Sequence, residues 1–314
     1  MTGPPRTPPG RDRSRPIVGV GDVTLDVVVA LAEEPASDSD ARAQIRMVGG
    51  GAAGNVAAWL AALRAEAVLV ARVGADPAGR MQAAELAGAG VDCRLSFDER
   101  HPTGTIVVVA SADGRRTMYT HRGANLKLDP RDLPDPLPGG HLHLSGYVLL
   151  DDEPRQAGLE ALRRARRNGL TTSVDASSAA PLGRVGADAF SGWVQDVDLL
   201  RANLDEARVL LGADEVDGAA AAQRLARRHP VAVVTAGPAG AWAAAGEELL
   251  HVPAAQAEVV DPVGAGDALT AGFLTRWVPA GPTAPPDLLA ALEAGVETAT
   301  AAVRRRGARP ATAP

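Results

Sequence analysis

Short apolar runs suited to strands alternate with helical patterns along most of this chain, and that alternation most limits what it can fold into. Ile17-Val18-Gly19-Val20 reads as a first strand, and Val56, Leu60 and Leu63 then recur on one helical face. Further strands are expected at 68–73, 142–146, 170–175, 197–202 and 231–235. Helices are expected at 153–167, near 204–211 and 217–228, and near 266–277 and 286–304. Such a βαβ alternation calls for a doubly wound, mostly parallel sheet with helices on both faces. Two regions break the rule. Residues 26–48 form an interrupted strand region, and 104–110 and 115–120 flank Asp113-Gly114, a type I′ hairpin signal. Together they read as a separate small β-sheet.

The segment from Val259 to Phe273 carries the chemistry. Gly264-Ala265-Gly266 precede Asp267, and Leu269, Phe273 and Trp277 then follow at four-residue spacing. Small residues let backbone N–H groups approach a ligand, and a helix N-terminus favours an anion. A carboxylate beside a bound anion is anomalous unless it accepts a proton from a hydroxyl attacking phosphorus. The plain alternative is that Asp267 caps the helix.

This segment resembles the C-terminal signature of the ribokinase-like (PfkB-type) carbohydrate kinases, with Pro262 and Val263 filling the variable middle. The N-terminal signature of that family is matched by Gly50-Gly51-Ala52-Ala53-Gly54-Asn55-Val56-Ala57. The two lie in the family's order, and the resemblance spans about residues 17–308. It implies a ribokinase-like α/β fold whose small sheet, at about 26–48 and 101–122, is a lid over the substrate. Residues 1–16 are expected to be a disordered tail, 17–308 the kinase domain and 309–314 a C-terminal tail.

The resemblance also implies roles. Asp267 is the expected general base, with Gly264, Ala265 and Gly266 forming the anion loop. Asp26 stands where the family carries a substrate-binding aspartate, and Gly50, Gly51 and Asn55 join it as expected substrate contacts; Arg122, in the lid segment, is expected there on residue type, as a group suited to hydroxyls or a carboxylate. On residue type alone Asp26 is a turn residue and Asn55 a helix cap. Asp22, in the same turn, is expected to be structural. Asn203-Leu204-Asp205-Glu206 matches the family's Asn-x-x-Glu element, so Asn203 is expected at the ATP and Glu206 at Mg²⁺, through water. The same four residues also read as an ordinary helix start. Thr235-Ala236-Gly237-Pro238-Ala239-Gly240 resembles the ATP loop, giving Thr235, Gly237 and Gly240 as nucleotide contacts. Asp261 aligns with a position associated with a monovalent cation such as K⁺, although Val263 offers it no side-chain oxygen. Asp175-Ala176-Ser177 departs from the family's Asp-Pro-Asn, so no role is carried to it.

Composition limits the alternatives. A net charge of −6 argues against a general nucleic-acid binder. Cys93 is the only cysteine, which suits a reducing cytoplasm and excludes an internal disulfide framework. No apolar run is long enough to span a membrane. Lys127 is the only lysine, and no Gly-Lys-Ser/Thr exists, so Walker-type phosphate binding is excluded. Gly19-Val20-Gly21 begins a dinucleotide fingerprint but has Thr24 in place of its third glycine. His141 and His143 share a strand face without a third ligand at suitable spacing for zinc.

The expected activity is ATP-dependent phosphorylation of a hydroxyl on a small sugar or sugar acid, by a homodimer paired through its lids. Only nine aromatic Phe, Trp and Tyr residues occur, and the hairpin carries Tyr119 beside Arg115, Arg116, His121 and Arg122, which disfavours a nucleobase pocket. Asp261-Pro262-Val263 is also similar to forms found in 2-keto-3-deoxygluconate kinases. A nucleoside kinase of the same family is the alternative, and a non-catalytic sugar-binding regulator is more distant.

Overall fold

The computed structural model describes residues 15–33, 38, 40–110, 116–278 and 287–311. Its elements run, in order, β1 (Ile17–Val20), β2 (Thr24–Leu31), β3 (Ala43–Gly50), α1 (Ala52–Ala62), β4 (Ala67–Gly74), α2 (Pro77–Gly88), β5 (Asp92–Asp98), β6 (Gly104–Ala110) and β7 (Arg116–His121). They continue with β8 (His141–Ser145), α3 (Tyr147–Leu150), α4 (Asp152–Arg167), β9 (Thr171–Asp175), α5 (Ala179–Val185), α6 (Ala187–Trp193), β10 (Leu199–Asn203) and α7 (Leu204–Leu211). The last are α8 (Gly218–Leu225), β11 (Val231–Thr235), β12 (Ala241–Ala245), β13 (Glu248–Val252), α9 (Ala265–Trp277) and α10 (Leu288–Val303).

Nine strands form one sheet in the order β13-β12-β11-β10-β9-β8-β1-β4-β5. All neighbours pair in parallel except β12, which runs antiparallel to both β11 and β13. β1 and β11 are apolar along most of their length, as helices covering both faces require, whereas β8, β9 and β10 also bury polar side chains such as His143, Ser173 and Arg201. On one face α1, α9 and α10 bury Val56, Phe273, Trp277 and Leu292 against Ile17, Leu199 and Val233. On the other, α4 to α8 bury Leu162, Leu182, Phe190, Leu210 and Leu225 against Leu142, Val174 and Val234. Six of the nine strands (β1, β4, β8, β9, β10 and β11) were legible in the sequence, whereas α2, β5, α3, α5, α6, β12 and β13 were not.

The second sheet has the order β3-β2-β6-β7, which accounts for the two segments that broke the alternation. Its register lines up Met47, Val27, Val107 and Tyr119 across the strands, with Ile45, Val29 and Val109 on the same face. Ile45, Met47 and Tyr119 are each more than 60% exposed, so this face presents apolar side chains to solvent. The expected Asp113-Gly114 turn, Arg115 and most of the N-terminal tail lie outside the described residues, as does the side chain of Arg116.

The boundary expected at 309 needs correction. Arg309 is buried, and Ala308 accepts a hydrogen bond from Trp59 Nε1 at 2.9 Å. Residues 307–309 belong to the packed domain, because the guanidinium finds acceptors inside it that a free tail would lack.

Candidate active site

Winding of the main sheet reverses at β1, whose neighbours are β8 and β4, and ligands in such folds bind beyond the strand ends at this switch. Asp22 sits there, accepting from Ser145 Oγ at 2.9 Å and from the Ala52 N–H at the start of α1 at 3.2 Å. Gly51 precedes α1 with φ +87°, and an added Cβ would lie 2.6 Å from the Asp22 carbonyl oxygen. Only glycine makes this turn without strain.

The turn aims α1 at α9. Asn55 Nδ2 donates to Asp267 Oδ2 at 2.8 Å, joining the two signature segments across 212 residues of sequence. Asp267 is partly buried at the start of α9. Burial pushes its pKa up to about 7, against the Asn55 hydrogen bond; nearby Asp175 raises it and Arg201 lowers it. Gly264 starts α9 in the left-handed region at φ +79°, with a Cβ position 2.6 Å from Ala308 Cα. Gly264, Ala265 and Gly266 thus present the open N-terminus of a 13-residue helix immediately beside Asp267.

Asp26 is buried, and Thr24 Oγ1 donates to it at 2.7 Å. A side chain at Gly50 would collide with its carboxylate. Burial raises the Asp26 pKa, against the Thr24 hydrogen bond and the Arg309 charge. Arg122 lies over the Tyr147 ring at 5.0 Å and pairs with Asp151 at 3.5 Å. The Tyr147 N–H donates to Ser177 Oγ at 3.1 Å just beyond the end of β9, and burial pushes the Tyr147 phenol up to about 12.

Beside Gly266, Arg201 Nη1 donates to Asp175 Oδ2 at 2.9 Å and Nη2 to Thr235 Oγ1 at 3.2 Å. A Cβ built on Gly266 would run into the Arg201 guanidinium. Arg201 Nε and Arg122 Nε are buried donors without a hydrogen-bond partner among the described residues. Arg201 and Arg309 escaped the sequence reading, and Asp175 was noted there without a role. A charged residue inside Leu199-Leu200-Arg201-Ala202 was the available signal, since a buried strand tolerates arginine only with a partner.

Asn203 and Glu206 form a capping box at α7: Asn203 Oδ1 accepts from the Glu206 N–H at 2.9 Å, and the Asn203 N–H donates to Glu206 Oε2 at 2.8 Å. Glu206 is 1% exposed, and burial followed by the Asp175 charge pushes its pKa up to about 7. Gly237 and Gly240 shape the turn from β11 to β12, both at positive φ. Asp261 receives the Val263 and Gly307 N–H groups, each at 3.1 Å. His141 and His143 are core residues bonded to the Ser173 hydroxyl at 2.8 and 2.9 Å, and burial holds His143 down to about 4. No cluster of three His, Cys, Asp or Glu suited to a metal occurs among the described residues.

The profile of the pfkB family carbohydrate kinases matches residues 15–314. The chain is 31% identical over 279 residues to a fructokinase of Klebsiella pneumoniae, covering 87% of each chain. It is 30% identical over 305 residues to an ATP-dependent ribose-1-phosphate kinase of Halopiger xanaduensis, covering 94% of each. The solved structure of adenosine kinase from Sinorhizobium meliloti superimposes with a TM-score of 0.81 at 26% identity, over 95% of this chain and 96% of that one. The chain belongs to the pfkB family of carbohydrate kinases, with the ribokinase-like fold.

Proposed function

We propose that the protein transfers the γ-phosphoryl group of ATP to a hydroxyl of a small sugar or sugar acid, with Asp267 as the general base. The hydrogen bond from Asn55 to Asp267 carries this reading, because it puts the expected substrate-binding segment against the expected base. A base that titrates near neutrality suits proton removal from an alcohol as it attacks phosphorus. Asp26, Asn55 and the Gly50-Gly51 backbone would fix sugar hydroxyls, for which a carboxylate is a strong acceptor. Backbone N–H groups of Ala265, Gly266 and Asp267 would meet the developing charge on the phosphoryl oxygens. Arg201, beside Gly266, adds a fixed positive charge there.

Thr235, Gly237, Gly240 and Asn203 would border the nucleotide at the ends of β10 and β11. Both Glu206 oxygens are engaged by Asn203, so this carboxylate suits outer-sphere contact through water. Mg²⁺ bound chiefly by phosphate oxygens would neutralise their charge. Asp261 would support a monovalent cation together with backbone carbonyls, which comparing rates in K⁺ and tetramethylammonium salts would test.

The apolar face of the small sheet is the proposed dimer contact, with the lid closing over the sugar in the cytoplasm. The similarity to a fructokinase favours a sugar, and the scarcity of aromatic residues argues against a nucleobase. A coupled assay with fructose, ribose, 2-keto-3-deoxygluconate, adenosine and pseudouridine tests the class. A sugar or sugar acid should give the highest kcat/KM. A nucleoside preferred by about tenfold or more would overturn the class.

A further inference from the structure

Arg309 lies just beyond α10, yet it reaches the centre of the site. Its Nη2 donates to the Gly50 carbonyl at 2.7 Å, its Nε to Asn55 Oδ1 at 3.3 Å, and its Nη1 to Glu85 Oε1 at 3.0 Å. The side chain is only 6% exposed. A guanidinium can donate but never accept, so the Asn55 carbonyl oxygen must face Arg309. Its amino group must then face Asp267. The reverse orientation would set two donors against each other and two acceptors against each other, an arrangement that costs free energy on both sides.

The neighbouring residues tie this arginine to the anion loop as well. Gly307 N–H donates to Asp261, and Ala308 packs against the Cα of Gly264. One short segment thus braces both signature motifs. We infer that Arg309 is a positioning residue for phosphoryl transfer, holding Gly50 and the Asn55 amide so that Asn55 presents its N–H to Asp267 Oδ2. The inference rests on Asp267 being the base. The consequence is that one carboxylate oxygen stays bonded to Asn55, which leaves Oδ1 to the attacking hydroxyl.

The test is a ¹³C NMR titration of the Asp267 carboxyl without substrate, the resonance being assigned by its loss in Asp267→Asn. In Arg309→Met, Asn55 loses its fixed orientation, and the carboxyl should titrate about one pH unit higher than in the wild type. Arg309→Lys should shift it less, since one ammonium cannot match the planar fork at two acceptors. Asn55→Leu should reproduce the upward shift, and adding Arg309→Met to it should then change little. The acid limb of kcat/KM for the best panel sugar should move with the carboxyl.

An unmoved titration in folded Arg309→Met contradicts the inference. So does a full second shift in the Asn55→Leu background, which would mean that Arg309 acts by charge alone. The base assignment is judged separately. Retained turnover in Asp267→Asn would remove it whatever the titrations show, while an inactive Asp267→Asn with unmoved Arg309 variants removes the positioning role alone.

Discussion

Arg201 lies against Gly266, so that a single added methyl on the glycine would overlap the guanidinium. The arginine cannot easily step aside, because Asp175 and Thr235 both hold it. Gly266→Ala should therefore leave folding largely intact but disturb the loop against its charge. We expect kcat/KM to fall by about 10²-fold, the scale of an ångström of misplacement at a reacting centre. Gly264→Ala should behave differently. Its φ of +79° and the Ala308 backbone make the cost structural, about 1–3 kcal/mol, visible as a lower Tm. Equal Tm values for the two variants would contradict this division.

Arg201 and Asp175 are a buried pair, with side chains 10% and 5% exposed. Removing the carboxylate strands a buried cation, so Asp175→Ala should cost about 3–5 kcal/mol in denaturant unfolding. A loss below about 1 kcal/mol, the scale of an exposed pair, would show that water reaches Arg201.

Six strands of the main sheet, the helix after the glycine loop and the two signature motifs could be read in advance because each rests on local pattern, whereas the hydrogen bond that joins Asn55 to Asp267 needs the fold. Apolar periodicity marks Leu269, Phe273 and Trp277 wherever they fold. Arg309 could not be read this way. Its partners Glu85, Gly50 and Asn55 lie more than 220 residues away, and only the tertiary fold supplies them. The short helices α5 and α6 and the antiparallel edge formed by β12 and β13 were missed for a related reason. Ala-rich and Gly-rich segments such as Ala241–Ala245 carry no periodic contrast between polar and apolar residues.

Asp267 and Glu206 both have carboxyls pushed up to about 7 in the folded protein. A raised folded pKa means the folded state binds the extra proton. The associated stability is therefore fully present below the ordinary carboxylate range and is lost as pH rises through about 7. Asp267→Asn, which removes that ionisation, should raise Tm at pH 8 by about 2–5 °C and by less at pH 5. A lower Tm than wild type at pH 8 would contradict a buried, costly carboxylate.

Ile45, Met47 and Tyr119 share the exposed face of the small sheet. If that face pairs two copies, Met47→Glu should convert a dimer into a monomer in light scattering, because a charge would be buried at the contact. A wild-type protein that remains monomeric at micromolar concentration would rule out the pairing.

The central claim is that Asp267 takes the proton from the sugar hydroxyl, and turnover by Asp267→Asn tests it most directly. Asparagine preserves the size of the side chain and can still accept from Asn55, but it cannot act as a base near neutral pH. With the best sugar of the panel, kcat should fall by about 10²–10⁴-fold while ATP affinity is retained. A kcat close to the wild-type value would contradict the mechanism.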